Sequence, residues 1–245
     1  KTNTNGFIDK VIEPSEISDD AVAYIMNALY FKAKWAGSKY EPMFREEGTR
    51  SEDFHLKDGK TVKAKMMRNT RYHEYAEMDG YKVLVLPYAN GKFNMYVLLP
   101  DENDIEGMIE KLQTTSWSDI RANLKQDAKV HVKLPKFNIE NKYNLNEALE
   151  ALGVRKAFEE GSAEFDRMFE NKNGYYWINK VIQKSRIAVS EWGTEAGSVT
   201  VVEMAVKEAG PSPKQVYFYA DHPFVFVIGE ETSGTILFEG VVMQP

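Results

Sequence analysis

The sequence contains no cysteine, and this absence excludes a disulfide scaffold, a cysteine-ligated metal site and a cysteine nucleophile. Long hydrophobic runs are also missing: Val83–Pro87 and Phe224–Ile228 are typical of the longest ones, and both are far too short to span a bilayer. Basic residues are outnumbered, with 31 Lys and Arg against 37 Asp and Glu and a formal net charge of -6. No basic stripe stands out, so we expect no nucleic-acid partner; the short apolar runs lead us to expect no membrane partner either.

The chain is rich in apolar side chains. Hydrophobic residues make up 43% and aromatic residues 12% of its 245 residues, which is enough for a large packed core in one large domain or two small ones. Residues 1–6 are polar and do not begin with Met. This opening does not fit a signal peptide and indicates a processed product or a fragment.

Strand patterns dominate the chain. Asn90-Gly91, between two of them, is typical of a two-residue β-hairpin turn, and three stretches have helical spacing with N-cap residues or a C-cap glycine. The predicted strands are Ala21–Trp35, Lys60–Met67, Tyr81–Tyr88, Lys92–Leu99, Val130–Leu134, Tyr175–Val189, Gln215–Tyr219, Phe224–Ile228 and Thr235–Met243. The predicted helices are Asp104–Lys111, Ser116–Leu124 and Asn144–Leu152. We therefore predict an α+β protein with mainly antiparallel sheets.

No catalytic motif is present. The sequence has no GxSxG elbow, no P-loop and no GxGxxG. His73–Glu77 reads HExxE and lacks the second histidine of a zinc-binding helix. The histidines are scattered, and we interpret His131, in an alternating strand, as structural. We therefore expect no enzymatic activity, no metal site and no cofactor.

Residues 194–207 alternate in an unusual context. Their even-numbered positions are small or apolar and uncharged, whereas the odd-numbered positions include every charge, Glu195, Glu203 and Lys207. This alternation is typical of a strand with one buried face. However, residues 210–213 read GPSP and follow at once. The segment therefore fits either an ordinary strand before a proline-rich turn or a strand held out of its sheet.

Several stretches resemble the serpin family of serine protease inhibitors, in order along the whole chain. They are Asn27–Trp35 (NALYFKAKW) for the long central strand, Leu134–Phe137 for another family stretch, Gly193–Ser198 (GTEAGS) for the proximal hinge of the reactive-centre loop, Phe218–Ile228 for the signature that follows the loop, and Thr235–Val242 for the terminal strand. A serpin is usually about half as long again. The chain thus resembles the C-terminal two thirds of a serpin.

The resemblance implies a fold and an organisation. The fold is serpin-like α+β, with mainly antiparallel sheets, flanking helices and a long reactive-centre loop at residues 191–214. Residues 1–245 would form a single serpin domain that lacks its N-terminal helical part, and that part would be a partner of this chain. Because the predicted strand Ala21–Trp35 is apolar on both faces, we expect it to need cover on both. Residues 1–245 alone should then not be a stable monomer. The implied location is extracellular or in the cell envelope.

The resemblance also implies an activity, namely suicide-substrate inhibition of serine proteases, with cysteine proteases as a second target class. The attacked loop would form an acyl-enzyme and insert into the central sheet. The family's spacing from Glu191 places the scissile bond between Lys207 and Glu208, within a window of 206–212. A lysine there points to a trypsin-like protease. The alternative is a non-inhibitory serpin-fold protein that acts as a carrier, chaperone or storage protein.

The resemblance assigns further residues to functional regions. The hinge would consist of Glu191, Gly193, Thr194, Glu195, Ala196, Gly197 and Ser198, and the shutter and breach of Asn27, Trp35, Lys136 and Gln183. Gln183 stands where many members carry a histidine. We predict a partly exposed ion pair between Glu191 and Lys136, worth at most about 1 kcal/mol. We also predict that the side chain of Thr194 points into the buried face of the sheet.

Overall fold

The computed structural model describes residues 8, 11–17, 23–37, 41–165, 167–168, 176–194 and 213–245. The chain divides into two compact units, one formed by Lys1–Phe31 with Ile139–Ile187 and the other by Lys32–Asn138 with Ala188–Pro245. The predicted site residues Glu195, Ala196, Gly197, Ser198, Lys207 and Glu208 lie outside the described residues.

Strands make up most of the regular structure. They are β1 (Tyr24–Leu29), β2 (Ala33–Lys34), β3 (Arg50–His55), β4 (Thr61–Tyr72), β5 (Tyr75–Met78), β6 (Tyr81–Pro87), β7 (Phe93–Pro100), β8 (Ala128–Pro135), β9 (Phe137–Asn144), β10 (Lys180–Ser190), β11 (Gly193–Thr194), β12 (Lys214–Tyr219), β13 (Phe224–Glu230) and β14 (Ile236–Val242). The helices are α1 (Ile105–Thr114), α2 (Trp117–Ala122) and α3 (Asn146–Ala151), with short 3₁₀ helices at Pro14–Glu16, Glu46–Gly48 and Lys156–Phe158. The predicted α+β class is confirmed.

The second unit contains two sheets. One has the order β14-β13-β7-β6-β5 and is antiparallel throughout, and the other has the order β12-β8-β4-β3. In the latter sheet β12 runs parallel to β8, and its other pairs are antiparallel. Apolar side chains of β5, β6, β7 and β13 pack against Ile105 and Met108 of α1 and Ile120 of α2. This core fixes the scaffold on which the site described below is built.

Strand β10 belongs to both units, and each unit holds different neighbours of it. In the first unit β1 pairs with β10 in parallel, and Asn27 lies opposite Gln183. In the second unit β11 pairs antiparallel with the end of β10 and with β2. The prediction of one strand over Ala21–Trp35 is wrong, because β1 and β2 pair with different neighbours and the residues between them, 30–32, lie in no strand.

Local signals set most element ends. Asp104 accepts a hydrogen bond from the N–H of Gly107 at 3.1 Å, and Ser116 accepts one from the N–H of Asp119 at 3.1 Å, so both predicted helices begin at their N-caps. The hairpin at Asn90-Gly91 is present but not as a two-residue turn. Its loop has four residues, 89–92, because the N–H of Tyr88 donates to the carbonyl of Phe93.

The part of the chain that the structure describes contains neither a membrane-spanning helix nor a cluster of metal-ligating side chains. None of its helices is both long enough and apolar enough to cross a membrane. None of its groups of His, Asp and Glu has three or more members placed to hold a metal ion.

Candidate functional site

The short strand β11 lies near the beginning of the predicted reactive-centre loop, residues 191–214. Thr194 pairs with Val189 of β10 on one side and with Ala33 of β2 on the other. Gly193 and Thr194 are both buried. The first residues of the predicted loop are thus already part of the sheet. We call the residues around them, Trp35, Thr49, Tyr88, Lys136, Glu191, Gly193 and Thr194, the breach cluster; all of them lie in the second unit.

Gly193 is held in a conformation that other residues rarely adopt. Its φ is +127°, and a Cβ at this position would overlap the carbonyl oxygen of Ala33 and the Cα of Lys34. Because both obstacles are backbone atoms of β2, no rotamer change relieves the overlap. Glycine at the start of the hinge motif is therefore required by the close approach of β11 to β2.

Thr194 buries its side chain against an aromatic pair. It is 1% exposed, and its hydroxyl lies 2.7 Å from the hydroxyl of Tyr88. Tyr88 stacks on Trp35 with ring centroids 4.8 Å apart, and the indole N–H of Trp35 donates to the carbonyl of Ser190 at 2.8 Å. Burial raises the pKa of Tyr88, so its phenol stays neutral. The inward orientation expected for Thr194 is present.

Glu191 and Lys136 form the partly exposed ion pair that the sequence predicts. The carboxylate of Glu191 lies 2.7 Å from the ammonium of Lys136, with side-chain exposures of 4% and 40%. Its other oxygen accepts a hydrogen bond from the hydroxyl of Thr49 at 2.7 Å. Burial acts to raise the pKa of Glu191, yet Lys136 and Thr49 outweigh it and hold that pKa below its usual value. The pair is thus partly exposed, as predicted, and its exposure is confined to the lysine. Because the glutamate is buried, we expect the pair to contribute more than the predicted limit of about 1 kcal/mol.

The remaining predicted residues lie apart from this cluster or outside the described ranges. Asn27 and Gln183, the predicted shutter, face each other in the ladder of β1 and β10 within the first unit. Trp192 is exposed and donates its indole N–H to Glu46 at 2.9 Å. Sequence reasoning missed Thr49 and Tyr88, because neither belongs to a recognisable motif and only tertiary packing brings them to residues 191–194.

Comparison with known proteins identifies the family that this architecture represents. The family model for serpins (serine protease inhibitors) matches residues 1–245, so the chain belongs to the serpin family. It is 34% identical to Serpin-Z4 of Hordeum vulgare over 248 residues, covering 99% of this chain and 60% of that protein.

Solved structures agree with this assignment. The native-state structure of tengpin, a thermophilic serpin, has a TM-score of 0.83 at 30% identity and matches all of this chain but 60% of tengpin. The structure of human thyroxine-binding globulin in complex with thyroxine has a TM-score of 0.81 at 24% identity and matches all of this chain and 61% of the globulin. At this identity the likeness concerns the fold alone. The chain thus spans about three fifths of the length of these relatives.

Proposed function

We propose that this chain supplies the reactive-centre loop and the accepting sheet of an inhibitory serpin. The observation that carries the proposal is β11, whose buried, uncharged Thr194 already occupies the gap between β10 and β2. The target is a trypsin-like serine protease. The protease serine adds to the carbonyl carbon of Lys207, and the amide bond to Glu208 breaks. The freed amine of Glu208 takes its proton from the protease histidine. The remaining acyl-enzyme is trapped when the loop inserts.

The strand register supports an insertion without slippage. Thr194 faces Val189 and Ala33; six residues further along an antiparallel strand, Thr200 would face Gln183 and Asn27. These two residues already face each other in the ladder of β1 and β10. An inserted strand would therefore separate β1 from β10 while both keep their present registers, and would replace one parallel ladder by two antiparallel ones.

Charge on the opposite face also fits this register. Counted from the same pairs, Glu195 would face Lys32 of the segment before β2, and Glu203 would face Lys180 of β10. Opposite charges directly across a sheet contribute about 0.2–1 kcal/mol each. The even-numbered positions bring no charge into the other face, where burying one would cost several kcal/mol.

Exposed apolar side chains on β1 support the proposed partnership with the N-terminal helical part of the fold. Ile25 and Met26 are 48% and 51% exposed. As neighbours in a strand they point to opposite faces. The isolated 245 residues should therefore fail to refold cooperatively, and adding the separate N-terminal part should restore a cooperative transition. We keep an extracellular or cell-envelope location as part of this proposal.

The decisive experiment introduces a charge into the inserting face. In the proposed register Ala196 would face the buried Ile187, so Ala196→Arg should slow insertion and turn the full-length protein from an inhibitor of trypsin into a cleaved substrate. Position 196 is preferable to Thr194, because Thr194→Arg would also break the contact with Tyr88 in the uncleaved state.

Two controls accompany this experiment. Val199→Arg places the same charge on the other face, where residue 199 would lie opposite Lys184. The ammonium of Lys184 is already paired with the carboxylate of Glu140 at 2.7 Å. This variant should therefore still form an SDS-resistant complex. Lys207→Ala should weaken cleavage by trypsin. An undiminished SDS-resistant complex in Ala196→Arg would refute insertion, and cleavage of the wild type without any complex would favour the non-inhibitory alternative.

A further inference from the structure

One outer face of the β12-β8-β4 sheet carries an ordered array of aromatic and cationic side chains. Alternation puts Tyr217 and Tyr219 on the same face of β12, and the ladders place them beside His131 and Lys133 of β8. Lys129 of β8 lies opposite Tyr72 of β4 on that same face. We call the following six residues the tyrosine face: Tyr72, Lys129, His131, Lys133, Tyr217 and Tyr219.

The rings of the tyrosine face are held in place while much of their surface stays exposed. His131 stacks on Tyr217 with centroids 4.8 Å apart, and its two ring nitrogens lie 3.2 Å from Thr70 and 2.7 Å from Gln215. Tyr217 meets Tyr219 edge-on at 5.8 Å. Tyr72 and Tyr217 are nevertheless 46% and 56% exposed. Prearranged tyrosines lose little entropy on binding and are common in protein interfaces.

The charge of this face is opposite to that of the protein. Arg68 lies opposite Lys133 in the ladder of β4 and β8, and together with Lys129 these residues bring three cations to the face. The carboxylate of Glu52 pairs with both Arg68 and Lys133. Lys129 lies over the ring of Tyr72 at 5.9 Å and Lys133 over that of Tyr219 at 4.5 Å. The face is therefore positive on a chain whose formal net charge is -6, and it suits a partner surface rich in carboxylates.

The position of the face along the chain limits what can reach it. Lys207 and Lys214, the first residue of β12, are seven positions apart, so even a fully extended chain holds the proposed scissile bond within about 25 Å of β12. A protease domain of about 200 residues is roughly 40 Å across. A protease bound at Lys207 is therefore large enough to reach the sheet that contains β12.

We propose that the tyrosine face is a secondary docking surface for an acidic patch of the protease that attacks the loop. This inference rests on the proposed inhibitory function and deepens it, because it adds a determinant of target choice outside the scissile bond. Contacts at the face strengthen and accelerate the encounter, whereas insertion afterwards depends on the loop and the sheet. The two proposals therefore affect different measurements.

The test compares anionic with cationic trypsin as targets of the full-length protein. Lys129→Glu should lower the association rate constant for anionic trypsin about 5–10-fold at low salt, and the loss should shrink as salt is added. Inhibition of cationic trypsin should not slow. Lys92→Glu is the matched control, because it makes the same charge change at an exposed residue of the β6–β7 loop, in another sheet. Tyr217→Ser should slow both trypsins by removing the exposed ring.

Two readouts separate this proposal from the inhibitory function. The stoichiometry of inhibition and the SDS-resistant complex should not change in Lys129→Glu, because insertion does not involve the face. Binding of an anionic trypsin whose catalytic serine is replaced by alanine measures docking without acylation, and it should weaken in Lys129→Glu even if no covalent complex forms. Equal effects of Lys129→Glu and Lys92→Glu, or no effect of either on rate and binding, would overturn the proposal.

Discussion

Replacing Lys136 by Met tests how firmly the breach cluster closes the sheet next to β11. The change keeps an unbranched side chain of similar length but removes the cation that lies 2.7 Å from Glu191. Removing one partner of a fully buried pair costs about 3–5 kcal/mol, whereas exposed pairs are worth about 0–1 kcal/mol. Because the side chain of Glu191 is buried and that of Lys136 is 40% exposed, we expect a loss of about 2 kcal/mol in the free energy of unfolding at pH 7.

The pH dependence of this loss identifies its cause. In the wild type the pKa of Glu191 is lowered, so the stabilisation from this site is fully present above the unfolded-state pKa and is lost as the pH falls through the folded-state pKa. In Lys136→Met, burial acts on a carboxylate that has lost its cation and should raise its pKa. Glu191 then takes up a proton on mild acidification, and the difference between variant and wild type should shrink from pH 7 towards pH 5.

The assay is urea unfolding of the full-length protein at pH 7 and pH 5, followed by tryptophan fluorescence. Glu191→Gln is the matched control, since its amide oxygen can still accept the hydrogen bond from Thr49. The double variant should be no less stable than Lys136→Met alone, because the buried charge is gone. A loss below about 0.5 kcal/mol, or one that is the same at both pH values, would refute the reasoning.

Three further changes have defined outcomes. Gly193→Ala should cost at least about 1–3 kcal/mol, because φ is positive and β2 leaves no room for a Cβ, and a thermal melt unchanged from the wild type would contradict this. Thr194→Val should cost about 1–3 kcal/mol by removing the hydrogen bond between Thr194 and the buried hydroxyl of Tyr88, and adding Tyr88→Phe should recover most of it in urea unfolding. Burial acts to lower the pKa of His222, but hydrogen bonds to Asp221 and to the carbonyl of Pro100 outweigh it and raise that pKa. The stabilisation that His222 contributes is therefore complete below the unfolded-state pKa and is lost as the pH rises through the folded-state pKa. His222→Asn should thus cost more stability at pH 6 than at pH 9, and equal losses would be inconsistent with this assignment.

Much of the local structure could be predicted from the sequence, because its signals lie within a few residues. The caps Asp104 and Ser116 start α1 and α2 as expected, and the alternation in Val130–Leu134 yields strand β8. The exception is Ala21–Trp35, where apolar content alone does not show that the strand changes its partner. The four-residue loop at Asn90-Gly91 also depended on the pairing of Tyr88 with Phe93, which no dipeptide specifies.

The sequence by itself determined the family, the uncharged face of residues 194–206 and the glycine at position 193, because each depends on side-chain type and order along the chain. Only the tertiary structure decided that Glu191 is buried, that Thr49 and Tyr88 complete the breach cluster, and that β11 already lies between β10 and β2. It also brought the lysines and tyrosines of three strands onto one face. The physical reason is that burial and charge pairing depend on distances between residues far apart in the chain, and those distances exist only once the sheets have formed.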